Sequence, residues 1–158
     1  MSTTTIRVVD HAQDPALARV PALFEEMHRE MAGQGMGLSL AEGGAVRWCE
    51  GVARGLERFG RLVIAEQGDE LIGFAHGALK LAPEHLGGVR LGHISHVHVL
   101  RDARGSGVGR AMVELLHAWF QEREVASIEL QVLAGNEAGQ AFWRSLGYRV
   151  ELLQLRKG

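Results

Sequence analysis

Residues 92–119 read GHISHVHVLRDARGSGVGRAMVELLHAW. Gly92 to Val99 has the β-branched, alternating character of a strand. Val108, Met112, Leu115, Leu116 and Trp119 fall on one face of a helix. Between the two lies Arg104-Gly105-Ser106-Gly107-Val108-Gly109-Arg110. Its glycines let successive backbone N–H groups turn toward one point with no Cβ in the way. The helix N-terminus adds a partial positive charge. Arg101, Arg104 and Arg110 add full ones. Such a loop suits a pyrophosphate. A Walker loop needs Lys and Ser/Thr after its last glycine, where Arg110 and Ala111 stand. A dinucleotide fingerprint needs a glycine where Arg110 stands. Plain strand-to-helix packing is the other use of such glycines.

Working outward, Ile128, Leu130 and Val132 alternate with Glu129 and Gln131, so 127–133 reads as a strand. Residues 94–133 then form a strand–helix–strand crossover, expected to be right-handed and parallel. Asn136 suits the cap of a helix carrying Phe142 and Leu146, which Gly147 ends. Tyr148 to Leu155 predicts a final strand or short pair. On the N-terminal side, Thr4 to Val9 is a first strand. Asp14-Pro15 opens a helix that Pro21 interrupts. Val46, Cys49, Val52 and Leu56 mark a second helix. Arg61–Ala65 and Leu71–Leu79 form a hairpin about Gln67-Gly68-Asp69-Glu70. The pattern is a mixed α/β domain.

The 158 residues fit one domain, 1–158. Apolar residues are 46% and charged ones 23%, ordinary values for a globular chain. A net charge of -2 argues against a nucleic-acid footprint spread over the surface. The single cysteine, Cys49, excludes an internal disulfide and reads as a buried, inert thiol. Met1 to Arg7 lacks a signal-peptide pattern, and no apolar run approaches the ~20 residues that span a bilayer. A soluble cytoplasmic protein without a membrane partner is expected.

Residues 94–110 resemble motif A of the GNAT acetyltransferase superfamily, whose core is Arg/Gln-x-x-Gly-x-Gly/Ala; Arg104, Gly107 and Gly109 match it. Asn136 to Tyr148, NEAGQAFWRSLGY, resembles that family's following segment. The resemblance implies a GNAT-like, mostly antiparallel central sheet flanked by helices. The strand ending at Val99 and strand 127–133 would splay apart, helped by a bulge, to hold coenzyme A. Pantetheine would bond to the backbone of Val97, His98 and Val99. The pyrophosphate would sit on Arg104, Gly105, Ser106, Gly107, Val108, Gly109 and Arg110. Asn136 would meet the cofactor or the departing thiol, with Trp143 beside it. An N–H near Val99 would stabilise the oxyanion. The activity implied is transfer of an acetyl group from acetyl-CoA to an amine, with no metal.

Two family positions differ. Trp143 stands where many members have a tyrosine that protonates the thiolate. Gln131 stands where some have a glutamate base, and Glu129 lies two residues too early. His93, His96 and His98 crowd the expected thioester. An imidazole suits proton acceptance, so His96 is the first choice of base and His98 the second; both also fit a plain polar strand face. The same histidines raise a metal site, but no cysteine completes a set. The acceptor should enter past residues 32–43, the 82–88 loop and the C-terminal strand. A small-molecule amine leads, a peptide amine follows, and a non-catalytic acyl-CoA sensor is the alternative of another class. A short chain end would leave a sheet edge open, which a homodimer would cover.

Overall fold

The computed structural model describes residues 3–158. Five strands, β1 (Thr4–Val9), β2 (Gly60–Gln67), β3 (Glu70–Leu81), β4 (Arg90–Val99) and β5 (Ser127–Leu130), form one sheet in the order β1-β2-β3-β4-β5. Neighbours are antiparallel except β4 and β5, which are parallel. The helices are α1 (Val20–Gly33), α2 (Gly44–Gly55), α3 (Val108–Glu122) and α4 (Glu137–Ser145). The mixed, mostly antiparallel sheet is the one expected. No helix among the described residues is long and apolar enough to cross a membrane.

Local chemistry explains the starts and stops. Asp14 accepts a hydrogen bond from the Ala16 N–H at 2.9 Å and caps a 3-10 turn, Pro15–Arg19. That turn ends at Arg19, and α1 takes over at Val20 with Pro21 in its first turn. The β2–β3 hairpin turns at Gly68-Asp69, with Gly68 in a left-handed conformation.

Alternation along β2 divides the core. Leu62 and Ile64 face α1 and α2, in a cluster with Phe24, Met27, Cys49 and Phe74. Val63 and Ala65 face α3, with Met112, Leu116, Trp119 and Phe120. On this second face the Phe120 ring rests on two adjacent strands at points without side chains. A Cβ at Gly77 would stand 2.7 Å from the ring, and one at Gly92 2.8 Å. Those close approaches hold α3 tight against β3 and β4.

Two expectations fail. The final strand over Tyr148–Leu155 does not form, and 148–158 has no regular secondary structure and no ladder pairing. Val150, Leu152, Leu153 and Leu155 are 73%, 82%, 83% and 89% exposed. The consecutive Leu152-Leu153 sends apolar side chains to both faces, so no register buries them all. Strand 127–133 also stops early, at Leu130, where β4 and β5 separate.

Gly92→Val should force Phe120 out of its seat and cost about 1–3 kcal/mol or more, the usual penalty of overpacking. The urea midpoint reads this directly. An unchanged midpoint would show that α3 is not held by this contact.

Candidate active site

The site begins where the sheet comes apart. β4 and β5 pair only from Leu91 with Ser127 to Ile94 with Leu130. At that point the β3–β4 register shifts, because His76 pairs with His96 while Gly77 pairs with Ile94. Ser95 is the extra residue of a bulge, which bends and twists the strand carrying it. Beyond the bulge β4 stays on β3, and β5 does not follow. The Leu100 N–H donates to the Ile72 carbonyl of β3 at 2.8 Å. Polar edges alternate along a strand, so the N–H groups of Val99 and Val97 point the other way, into the gap.

This gap is a cleft of about 590 Å³, within the usual size range of ligand sites. One wall is β4 from Ile94 to Val99; the other is 130–133 with Asn136, Phe142 and Trp143 of the α4 region. The Asn136 Oδ1 accepts from the Gly139 N–H at 2.9 Å, so this side chain caps α4 while the residue lines the cleft.

The glycine loop closes one end. Gly105 and Gly107 have φ of 83° and 87°, a conformation that L side chains resist. Gly107 is the N-cap of α3, and its carbonyl takes the Ala111 N–H at 3.0 Å. The N–H groups of Val108, Gly109 and Arg110 lie in the first turn and have no intrahelical acceptor. With the helix dipole behind them, they form the kind of helix N-terminus that suits an anion. Ser106 Oγ donates to the Ala103 carbonyl at 2.7 Å and braces the loop. Arg104 behaves differently from the free charge expected. Its Nε donates to the Val99 carbonyl at 2.8 Å, and its Nη2 meets both Glu30 oxygens at 2.9 and 2.7 Å. Arg104 therefore ties α1 to the loop, and Arg101 and Arg110 remain as the less committed cations.

His96 and His98 both line the cleft on the face toward α1. Their surroundings differ. His96 packs edge-on against Phe24 and Trp48, each 5.0 Å away between ring centres. Burial, helped by His76, His28 and His93, pushes its pKa down to about 3. That shift works against an acid limb near 6.5 from His96. His98 is 5% exposed, with Nε2 3.5 Å from Glu26 and Nδ1 3.6 Å from Glu30. Burial lowers its pKa also, while Glu30 and Glu26 oppose the shift. His93 turns to Glu129, which also holds Lys80, so Glu129 is not a free base. Gln131 lines the cleft and donates to Gln154. The Tyr148 hydroxyl lies 2.7 Å from His117 Nε2, and burial pushes its pKa up to about 12. Cys49 is buried, its thiol pushed up to about 11 by burial.

Three pairings escaped sequence reasoning, which reads Glu26 and Glu30, with Glu25 and Glu42, only as negative charge near the acceptor mouth or as a solvated helix face. Glu26 and Glu30 are four apart on α1, a spacing that puts both on one side of a helix, but only the fold brings His98 to them. His76 is the third: its Nδ1 lies 2.6 Å from Ser95 Oγ.

Neutral burial has a cost in acid. His76 is pushed down to about 4 and His96 to about 3 from 6.5. Below pH 6.5 the unfolded chain binds protons that the native state refuses, so stability falls as pH falls. Urea denaturation from about pH 7 to about pH 5, a range with little carboxylate titration, should show this decline. His96→Asn should make it shallower. A flat profile would mean that these imidazoles are not held neutral.

With that geometry in place, the family model for the acetyltransferase (GNAT) family matches residues 37–148. No curated protein matches the sequence. Among solved structures, a transcriptional regulator from Bacillus halodurans C-125 superposes with a TM-score of 0.75 at 18% identity, covering 99% of each chain. A ribosomal-protein-alanine N-acetyltransferase from Brucella melitensis biovar Abortus 2308 gives 0.70 at 17%, also over 99% of each. An aminoglycoside N-acetyltransferase in complex with CoA gives 0.74 at 16%, over 99% of this chain and 96% of that one. These identities speak for the fold, and the family model for membership. The parted strands and the glycine-capped helix are the work of a sequence that belongs to the GNAT acetyltransferase family.

Proposed function

We infer that this chain moves an acetyl group from acetyl-CoA to a primary amine of a small molecule, by direct attack within a ternary complex. One observation carries the reading. The inward N–H groups of Val97 and Val99 run continuously into a cleft that ends at the unsatisfied N–H groups of α3. The first set suits an amide-bearing chain, the second a pyrophosphate. A family that uses acetyl-CoA is matched over most of this length. The neighbours that acetylate aminoglycosides and a ribosomal protein lend the amine acceptor support by likeness of fold.

In this reading Gly105 to Arg110 bind the pyrophosphate, and the edge of β4 orients pantetheine. The Val99 N–H donates to the thioester oxygen and to the oxyanion that develops there. The amine nitrogen bonds to the acetyl carbon as the carbon–sulfur bond breaks. The amine proton passes to an imidazole. His98 suits this better than His96, since Glu26 and Glu30 flank it and favour the imidazolium. His96, held neutral among rings, forms the wall beside it. Trp143 lines the thiol end but supplies no acidic proton, and Tyr148 is turned to His117. Water then protonates the departing thiolate, and most of the acceleration rests on positioning.

Gln131 and Trp143, at the positions where acid and base are usual, favour a second reading: an acyl-CoA-binding module without turnover. Acetyl-CoA consumption with an amine panel, set against CoA titration, separates the two. A peptide amine is a further acceptor class for the same panel. The exposed leucines of the tail also suit contact with a second copy of the chain, read by sedimentation.

Gly107→Asp should weaken CoA binding by at least about tenfold, because it places a carboxylate at the phosphate site and strains a left-handed position. Unchanged calorimetric affinity would contradict the cradle. His98→Gln should lower turnover by about 10²–10⁴ with CoA affinity kept. Full activity in that variant would remove His98 from the chemistry.

A further inference from the structure

His98 is a buried imidazole whose polar atoms the fold leaves short of partners. Among the described residues its Nε2 has no hydrogen-bond partner. Its Nδ1 stands 3.6 Å from Glu30 Oε2, just beyond hydrogen-bond reach. A buried polar group in that condition gains from any partner that comes closer. The nearest oxygen is held elsewhere. Arg104 Nη2 grips Glu30 Oε2 at 2.7 Å and Oε1 at 2.9 Å. The arginine and the histidine thus compete for one carboxylate, and in the free protein the arginine has it.

Around His98, α1 presents Glu30 and also Glu26, whose Oε1 lies 3.5 Å from Nε2, too long for a strong hydrogen bond. The loop after β4 presents Arg104, and β3 presents the Phe74 ring. His96, two residues back on the same face of β4, is held neutral. Arg101 reaches Glu30 Oε1 at 3.6 Å from a largely exposed side chain, where solvent screens it. Burial lowers the His98 pKa, Glu30 works against that, and Arg104 adds to the lowering. At this imidazole the arginine therefore cancels part of what the carboxylate offers.

Arg104 has a second use for its charge. It opens the glycine loop and lines the cleft with Gly105 and Gly107. Its guanidinium fork suits phosphate as well as carboxylate. The pair with Glu30 is partly exposed, and such pairs are held weakly. A pyrophosphate brings more negative charge than one carboxylate. Meanwhile Arg104 Nε is fixed to the Val99 carbonyl at 2.8 Å, so the side chain stays anchored while its far end changes partner.

We propose that Glu30 is a positioning residue for the base and works as a switch: Arg104 leaves it for the phosphates of bound acyl-CoA, and the freed carboxylate turns to His98 and makes that imidazole more basic. The proposal rests on the acetyltransferase reading above. No covalent bond forms or breaks in this step; one ion pair is exchanged for another. His98 then accepts the amine proton more readily once the acyl donor is in place. Linkage is reciprocal, so a proton on His98 must strengthen CoA binding by the same factor.

The probe is CoA itself, which permits no turnover. The His98 ring is followed by NMR from about pH 5 to about pH 8, free and saturated with CoA, with His98→Gln to assign its signal. CoA should raise the proton affinity of His98 by about tenfold, as an opposite charge newly brought to bear at this range does. Calorimetry in buffers of different ionisation enthalpy should show proton uptake on binding near about pH 6. Glu30→Gln should abolish both the rise and the uptake while CoA still binds. Arg104→Gln should show the raised affinity already in the free protein, and serves if Glu30→Gln does not fold. A rise that survives in Glu30→Gln would mean that the phosphates act on His98 directly, and would overturn the switch. CoA bound with His98 unmoved would overturn the switch alone, whereas no CoA binding at all would defeat the cofactor reading beneath it.

Discussion

A sheet whose neighbouring strands separate halfway along must leave backbone groups without partners, and in water or protein those groups seek a ligand. Here the separation follows the bulge at Ser95. Above it β4 is bonded on both edges, and below it only to β3. The unpaired edge at Val97 and Val99 is thus built by strand register and needs no special side chain. The rest follows from where the two parted ends go. β4 continues into the glycine loop and α3, while β5 turns at Asn136 into α4. The cleft is the wedge between these two continuations.

The same parting fixes the electrostatics. α1 lies across the free part of β4, so histidines that would otherwise meet water are covered by its side chains. Burial among rings keeps His96 neutral, and two carboxylates make His98 the group better able to accept a proton. Glu30 serves twice, facing His98 and gripping Arg104. It thereby couples the position of α1 to the loop expected to hold the phosphates. The arrangement costs acid stability, because native imidazoles that refuse protons are a liability as soon as the unfolded chain can take them.

Much of this was legible in the sequence for local reasons. The Arg104–Arg110 loop declares itself through glycine spacing between a strand and an amphipathic helix. Asn136 as a cap, the Gly68 hairpin turn and the interruption at Pro21 are all settled within a few residues of themselves. What stayed hidden depends on distant partners. The tail after Tyr148 has strand-like composition, yet no edge in suitable register receives it. The environment of His96 is made by Phe24 and Trp48, from two different helices. The Arg104–Glu30 pair joins residues 74 positions apart.

Amide hydrogen exchange tests the central claim most directly. In the free protein the Val97 and Val99 N–H groups have no strand partner on the cleft side, and those of Val108, Gly109 and Arg110 have no helical one. They should exchange faster than their β3-bonded neighbours. Saturating CoA should slow both sets together, joining the two ends of the cleft in one ligand footprint. Protection confined to other parts of the chain, with these five amides unchanged, would contradict the account.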